Sequence, residues 1–154
     1  MKIILTIIAV LAGPTSMLAQ SAFAQPCGTP GSIKRVKNTK IGIYEYVVFD
    51  VRRPPNPQYS ITTATPPFTE DGSGDPVTVA GNKFKQIRFT GVFWTCGIKE
   101  IFSLPRTAIK GVGKTGQWEG VVTYVVGYRT ASTYLGAYYY DVGSIRKVVM
   151  RFRR

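Results

Sequence analysis

Tyrosines and basic residues near the C-terminus are the side chains whose types and spacing best suit the binding of a ligand. Tyr138 and Tyr140 are two residues apart, as are Arg151 and Arg153, and Lys147 precedes them on the same parity as the arginines. In a β-strand, residues two apart point to the same face. Aromatic faces stack on flat rings and attract cations, and clustered positive charge attracts polyanions. We therefore predict a ligand-binding face formed by Tyr138, Tyr140, Lys147, Arg151 and Arg153.

The remaining tyrosines and cations allow a plainer interpretation. By the same parity, Tyr134 is expected on the face of Tyr138 and Tyr140, with Tyr139 on the opposite face. One set of rings would then pack the core while the other covers a sheet surface. The formal net charge of +12 could likewise serve solubility alone. Tyr44 and Tyr46 are also two residues apart and are expected to share a face. The other basic clusters are Lys34 to Lys40, Arg52 and Arg53, and Lys83 to Arg88.

Composition excludes several kinds of catalytic and metal site. The chain has no histidine, so Ser-His-Asp triads, Cys-His dyads and His-ligated zinc sites are excluded. Three carboxylates, Glu70, Asp71 and Asp75, cluster around two glycines and suggest a calcium loop. A tight turn whose polar side chains cap their own backbone explains the same residues and is favoured. We predict no metal and no cofactor.

Residues 108–115 match a permissive phosphate-loop pattern that ends in Gly113-Lys114-Thr115. In such a loop, backbone N–H groups cradle phosphates, and a helix must follow. Here a run rich in β-branched residues follows instead. We therefore interpret the segment as a glycine-rich surface loop.

Glu119, beside Trp118, is the candidate general acid for glycan hydrolysis. Such an enzyme needs a second carboxyl group facing the first, and Asp50 or Asp141 could supply it. A strand carboxylate paired with a surface Lys or Arg is the favoured interpretation of Glu119. We predict that the protein is not an enzyme.

The N-terminus has the three parts of a secretory signal peptide. Lys2 supplies the positive charge, residues 3–13 form an apolar run, and Ala22 and Ala24 form the cleavage pattern. The apolar run is too short to span a bilayer, so no transmembrane anchor is predicted. Residues 1–24 are thus the predicted signal peptide and residues 25–33 an N-terminal extension. Pro26, directly before Cys27, argues against a lipid anchor.

Cys27 and Cys96 are the two cysteines of the chain. In an exported protein they would meet an oxidising compartment, where two lone thiols are most simply interpreted as one disulfide. We predict a Cys27–Cys96 disulfide that ties the N-terminal extension to the body of the domain.

The rest of the chain is typical of strands separated by turns. Its runs are β-branched and aromatic, and clusters of Pro and Gly lie between them. The last run alternates clearly, with Val148, Met150 and Phe152 on one face. Residues 98–104 are the candidate for one short helical turn. This pattern predicts an all-β sandwich or barrel. The predicted strands are residues 43–51, 84–89, 118–128, 133–141 and 146–154.

Three segments together resemble the AMIN-like domain of exported bacterial envelope proteins. They are YVVFD at residues 46–50, PFTEDGSGDPVTVAG at 67–81, and QWEGVVTYVVG at 117–127. The middle segment is the most specific. The resemblance covers residues 34–154 and implies a single-domain β-sandwich of the AMIN-like type. AMIN-type domains act as envelope-targeting modules that associate with peptidoglycan, and the resemblance carries over no catalytic residue.

These observations predict a non-catalytic, exported module that binds the cell envelope, through peptidoglycan or an anionic wall polymer. The alternative is a structural domain that docks a protein partner in the envelope. The predicted location is periplasmic or extracellular. Nucleic acid would bind only non-specifically, through charge.

Overall fold

The computed structural model describes residues 28–53, 58–104 and 106–154. The predicted signal peptide and Cys27 lie outside these residues. The described residues form twelve β-strands and no helix. The strands are β1 (Ser32–Ile41), β2 (Tyr44–Arg52), β3 (Gln58–Ala64), β4 (Phe68–Thr69), β5 (Pro76–Val77), β6 (Lys83–Thr90), β7 (Trp94–Thr95), β8 (Ile101–Ser103), β9 (Ile109–Trp118), β10 (Val121–Tyr128), β11 (Thr133–Val142) and β12 (Ile145–Arg153).

Two five-stranded sheets contain most of these strands. The first sheet has the order β11-β12-β2-β1-β7, and the second has the order β3-β6-β10-β9-β8. Neighbouring strands are antiparallel except β1 and β7, which pair in parallel. A separate two-stranded unit joins β4 and β5. The prediction of an all-β sandwich is confirmed.

The core lies between the two large sheets, because alternate residues of their long strands are apolar. Phe49 of the first sheet packs against Phe89 and Tyr124 of the second, with ring centroids 5.1 and 5.3 Å apart. All three side chains are at most 1% exposed. Burial of such large rings is the main driving force that holds the sheets together.

One buried carboxylate also bridges the two sheets. Glu45 of β2 is fully buried, and its two carboxylate oxygens accept hydrogen bonds from three backbone N–H groups. The donors are Thr107, Ala108 and Ile109, at 3.0, 3.0 and 2.9 Å, where the chain enters β9. A buried charge is tolerated only when its hydrogen-bonding capacity is met. The Glu45 carboxylate therefore holds the start of β9 against the first sheet.

Two local predictions for the second sheet are wrong. Residues 108–115 are not a surface loop, since most of them lie in β9, whose glycines are buried. Residues 98–104 contain no helical turn but the strand β8, which pairs with β9. Glycine is depleted in strands, so this glycine-rich segment has the composition of a loop.

The predicted strand over residues 118–128 is interrupted by a tight turn. Trp118 ends β9 and pairs with Val121, the first residue of β10. Glu119 and Gly120 between them both have positive φ, at 45° and 79°. A two-residue turn with both residues at positive φ matches the right-handed twist of a hairpin. Glu119 therefore lies in a turn and not in a strand.

The glycines of β9 and β10 are covered by the segment that carries β4 and β5. A Cβ atom on Gly127 would lie 2.1 Å from the carbonyl oxygen of Ala80, and one on Gly113 would lie 2.6 Å from Val79. Val77, Val79, Phe84 and Val125 form a second, smaller core beneath this segment. The overlying segment can approach the sheet this closely only because those positions are glycine.

We expect Gly127→Ala to lower the free energy of unfolding by about 3 kcal/mol, because the new methyl group must displace backbone atoms of Ala80. Gly42→Ala is the control. Gly42 has a φ of 57° but no neighbouring atom within 4 Å of an added Cβ, so only backbone strain of about 1 kcal/mol is expected. Urea denaturation of both variants measures the difference, and equal costs would refute the close packing.

Glu45→Ala should cost about 4 kcal/mol, since it leaves the buried N–H groups of Ala108 and Ile109, and the part-buried one of Thr107, without their acceptor. Glu119→Ala, which removes an exposed carboxylate with no hydrogen bond or ion pair among the described residues, should cost less than about 1 kcal/mol. Thermal unfolding followed by circular dichroism compares the two substitutions. A cost for Glu45→Ala as small as that of the control would contradict the bridging role.

Candidate functional site

The outer face of the first sheet is the surface on which the predicted binding residues lie. On β12, Val148, Met150 and Phe152 point into the core and are at most 2% exposed, so Lys147, Val149, Arg151 and Arg153 point outward. Strand pairing places residues of β11, β2 and β1 beside them. We call this surface the basic face. It contains Tyr138, Tyr140, Lys147, Arg151, Arg153, Tyr44, Tyr46, Arg35 and Lys37.

The five predicted residues therefore share one face, as their spacing indicates. Tyr138 and Tyr140 are each 47% exposed, and their rings stack with centroids 6.4 Å apart and planes inclined by 23°. Tyr140 is paired with Lys147 across the β11–β12 ladder. Their role in binding stays a prediction.

Tyr134 does not lie on this face, so that part of the prediction is wrong. The β11–β12 register shifts between Tyr134 and Gly136, which inverts the parity of the residues before the shift. Tyr134 instead contacts the core ring of Phe152, with centroids 5.3 Å apart. Burial raises the pKa of the Tyr134 hydroxyl to about 12.

Asp50 neutralises two cations of the basic face. Its carboxylate oxygens lie 2.6 Å from the Arg35 guanidinium and 2.8 Å from the Lys147 ammonium, and its side chain is only 7% exposed. Burial alone raises the pKa of the Asp50 carboxyl, but the hydrogen bonds and charges of Lys147 and Arg35 outweigh it, and the pKa is lowered. Lys147 is thus held by an ion pair, which distinguishes it from the arginines of β12.

Arg151 and Arg153 carry positive charge that no acid in the described part of the chain pairs with. Both are exposed. The Arg151 guanidinium lies over the ring of Tyr44, 5.5 Å from its centroid. This cation–π contact orients the guanidinium, and the side chain stays exposed.

The other candidate sites from the sequence lie outside the basic face. The Glu70–Asp75 segment forms a turn, in which the Ser73 hydroxyl accepts a hydrogen bond from the Asp75 N–H at 3.1 Å. Among residues 28–53, 58–104 and 106–154, no three potential metal-ligating side chains come together. Lys114 lies in β9 and is paired with Glu100.

Neither carboxylate proposed as a partner for Glu119 faces it. Asp50 lies on the outer face of the first sheet, and Asp141 on β11 pairs with Arg53 and Arg146. Glu119 lies at the tip of the β9–β10 hairpin and is exposed. The sequence predicts a strand position and a Lys or Arg partner for Glu119. The structure places Glu119 in an exposed turn instead.

Cys96 is half-buried and directly follows β7. Its backbone N–H donates to the carbonyl oxygen of Ile33, 2.9 Å away, next to the start of the described chain. Cys27 lies outside the described residues, so the disulfide stays a prediction.

Sequence reasoning missed how β1 and β2 complete the basic face. Lys37 pairs with Val48, and Arg151 pairs with Tyr46. The spacing of Tyr44 and Tyr46 already indicates that these two share a face, and the same spacing of Arg35 and Lys37 could have shown it for them. The pairing of β2 with β12, about a hundred residues away in the chain, has no local signal.

The fold and this surface define a β-sandwich with one basic, aromatic sheet face. The family model described as AMIN-like domain matches residues 32–143, and the chain belongs to that family. The resemblance seen in the sequence is thereby confirmed. AMIN-like domains are typical of envelope proteins, which makes this an envelope-associated domain. No curated protein and no solved structure matches the chain.

The described residues include no helix of the length and apolarity needed to cross a membrane.

Asp50→Asn should reduce the free energy of unfolding by about 2 kcal/mol at pH 7, because both ion pairs lose their charged acceptor. An unfolded Asp has a pKa of about 3.9 and the folded pKa is lower, so this stabilisation is complete above about pH 4. It is lost as the pH falls through the folded pKa. The difference between the wild type and the variant should therefore shrink below about pH 4.

Urea denaturation at several pH values tests this dependence. Asp75→Asn, at an exposed aspartate with no ion pair in the described part of the chain, should cost less than about 0.5 kcal/mol at pH 7. A pH-independent cost of Asp50→Asn would contradict the role of the ionised carboxylate.

Proposed function

We propose that this protein is a non-catalytic, exported module that binds peptidoglycan or an anionic wall polymer of the cell envelope through its basic face. The observation that carries the proposal is the position of the exposed Tyr138–Tyr140 pair on the same sheet face as the unpaired Arg151 and Arg153. Membership of the AMIN-like domain family supports the envelope location.

The charge of this face suits a polymer with repeated negative groups. As defined above, it carries five cationic side chains, and the carboxylate of Asp50 is the acid that pairs with two of them. A field of one sign attracts a polyanion and speeds its association, and salt screens the attraction. Phosphate or carboxylate groups along a chain could contact Arg151 and Arg153 in succession.

The shape of the face also favours a polymer over a small molecule. Val48 and Val149 point outward at its centre, yet they are at most 5% exposed between longer side chains. A pleated sheet surface with stacked rings offers contact along its length, whereas small ligands are usually enclosed in pockets. Tyr138 and Tyr140 would stack on sugar rings or on other flat groups of the polymer.

A protein interface is depleted of charged residues at its core. The outer face of the first sheet instead carries five cations with Asp50 as their paired acid, and this excess of positive charge supports polymer binding over the alternative of a structural docking domain.

Co-sedimentation with purified cell-wall sacculi over a salt series tests the proposal. The protein, expressed with its own N-terminal segment, is compared with the double variant Arg151→Glu/Arg153→Glu. Binding should fall steeply as salt is raised, and the double variant should bind at least about tenfold more weakly at low salt. Repeating the assay after chemical removal of the attached anionic polymers shows which component is bound.

Arg106→Glu/Arg129→Glu is the matched control, because it makes the same change in net charge at exposed arginines outside the basic face. It should retain most of the binding. Equal losses in the two double variants would show that net charge alone is responsible. Failure of the wild type to sediment at low salt would refute the proposed function.

A further inference from the structure

The outer face of the second sheet carries a groove of about 640 Å³ that is separate from the basic face. Its floor is formed by the outward side chains of β6 and β10, because Ile87, Phe89, Val122 and Tyr124 of these strands point into the core. Its walls are the chain around β4 and the tip of the β9–β10 hairpin. A groove of this volume lies within the range of small-ligand sites, roughly 300–1,000 Å³.

The wall near β4 is held in place by backbone contacts with the sheet. The Asp71 N–H donates to the carbonyl oxygen of Thr115, 2.9 Å away. The Asp71 carboxylate lies directly over Gly116, where no side chain intervenes. The groove is thus preformed, so a ligand would not have to order this wall on binding.

Trp118 stands at the rim of the groove and is 69% exposed. A second hollow of about 350 Å³ is lined by Asp71, Gly72 and the same Trp118. The indole therefore borders both hollows, and a ligand longer than one ring could pass across it. A tryptophan with so large an exposed fraction at a concave site is characteristic of a binding surface.

Besides its threonines, the groove is lined by four longer polar side chains that are available to a ligand. Gln86, Arg88, Asp71 and Glu119 take part in no side-chain hydrogen bond or ion pair with other described residues. They include two carboxylates and one guanidinium, so the groove lacks the excess of positive charge found on the basic face. Planar donors and acceptors around an aromatic ring suit hydroxyl groups, whereas a polyanion would be repelled by the carboxylates.

We infer that this groove binds a short, uncharged oligosaccharide, with Trp118 as the stacking surface and Gln86, Arg88, Asp71 and Glu119 as hydrogen-bonding groups. The apolar face of a sugar ring would lie on the indole, and its hydroxyl groups would meet the polar side chains. This site is independent of the proposed function, because it shares no residue with the basic face.

Isothermal titration calorimetry with two uncharged tetrasaccharides, one of β-1,4-linked N-acetylglucosamine and one of β-1,4-linked glucose, tests the inference. The protein is used as for the sedimentation assay. At least one tetrasaccharide should bind, and raising the salt concentration should leave its affinity unchanged, since the ligand has no charge. Trp118→Ala should weaken this binding by about tenfold or more.

Trp94→Ala is the matched control, because Trp94 is also exposed but does not line the groove. It should bind the sugar as the wild type does. Lack of binding of both tetrasaccharides would overturn the inference, as would equal binding by the wild type and Trp118→Ala. The sugars are uncharged and the assay also runs at high salt. Failure of the groove to bind sugar is therefore distinguishable from failure of the basic face to bind polymer.

Discussion

The buried carboxylate of Glu45 is the constraint that fixes how the two sheets, held together by their apolar core, meet at the start of β9. It is fully buried and accepts hydrogen bonds from the three N–H groups that lead into β9. The cost of burying this charge is met only if the two sheets keep one relative position. That position sets the first sheet, in which β2 and β12 pair, against β9 and β10 of the second. Both candidate binding surfaces are therefore outer faces of sheets that the Glu45 carboxylate links to each other.

The two outer faces of the sandwich differ in chemistry because each strand divides its residues between core and exterior. On the first sheet the exterior residues are cations and tyrosines, and Asp50 pairs with two of the cations. On the second sheet, four outward positions of β9 and β10 are glycine, so another segment can lie against them and form the wall of a groove. One face thus suits charged polymers by attraction, and the other suits uncharged rings by enclosure and stacking.

The sequence predicts those parts of the structure that depend on neighbours in the chain. Alternation places Val148, Met150 and Phe152 in the core and the arginines of β12 outside, as found. It fails where one residue is inserted, because the register shift after Tyr134 moves that ring to the core side. It fails again in β9, whose glycines have the composition of a loop but are required by a segment that folds over them. The role of Glu45 depends on N–H groups more than sixty residues away, and no local pattern indicates such a contact.

The central claim, that an envelope polymer binds the basic face, is tested most directly by mapping the bound surface. Backbone amide shifts of the isotope-labelled protein can be followed by NMR while soluble, purified anionic wall polymer is added. The account predicts that the perturbed amides cluster on β11, β12, β2 and β1 around Tyr138, Lys37 and Arg151. Perturbations confined to the second sheet, or none at polymer concentrations that saturate sedimentation, would contradict it.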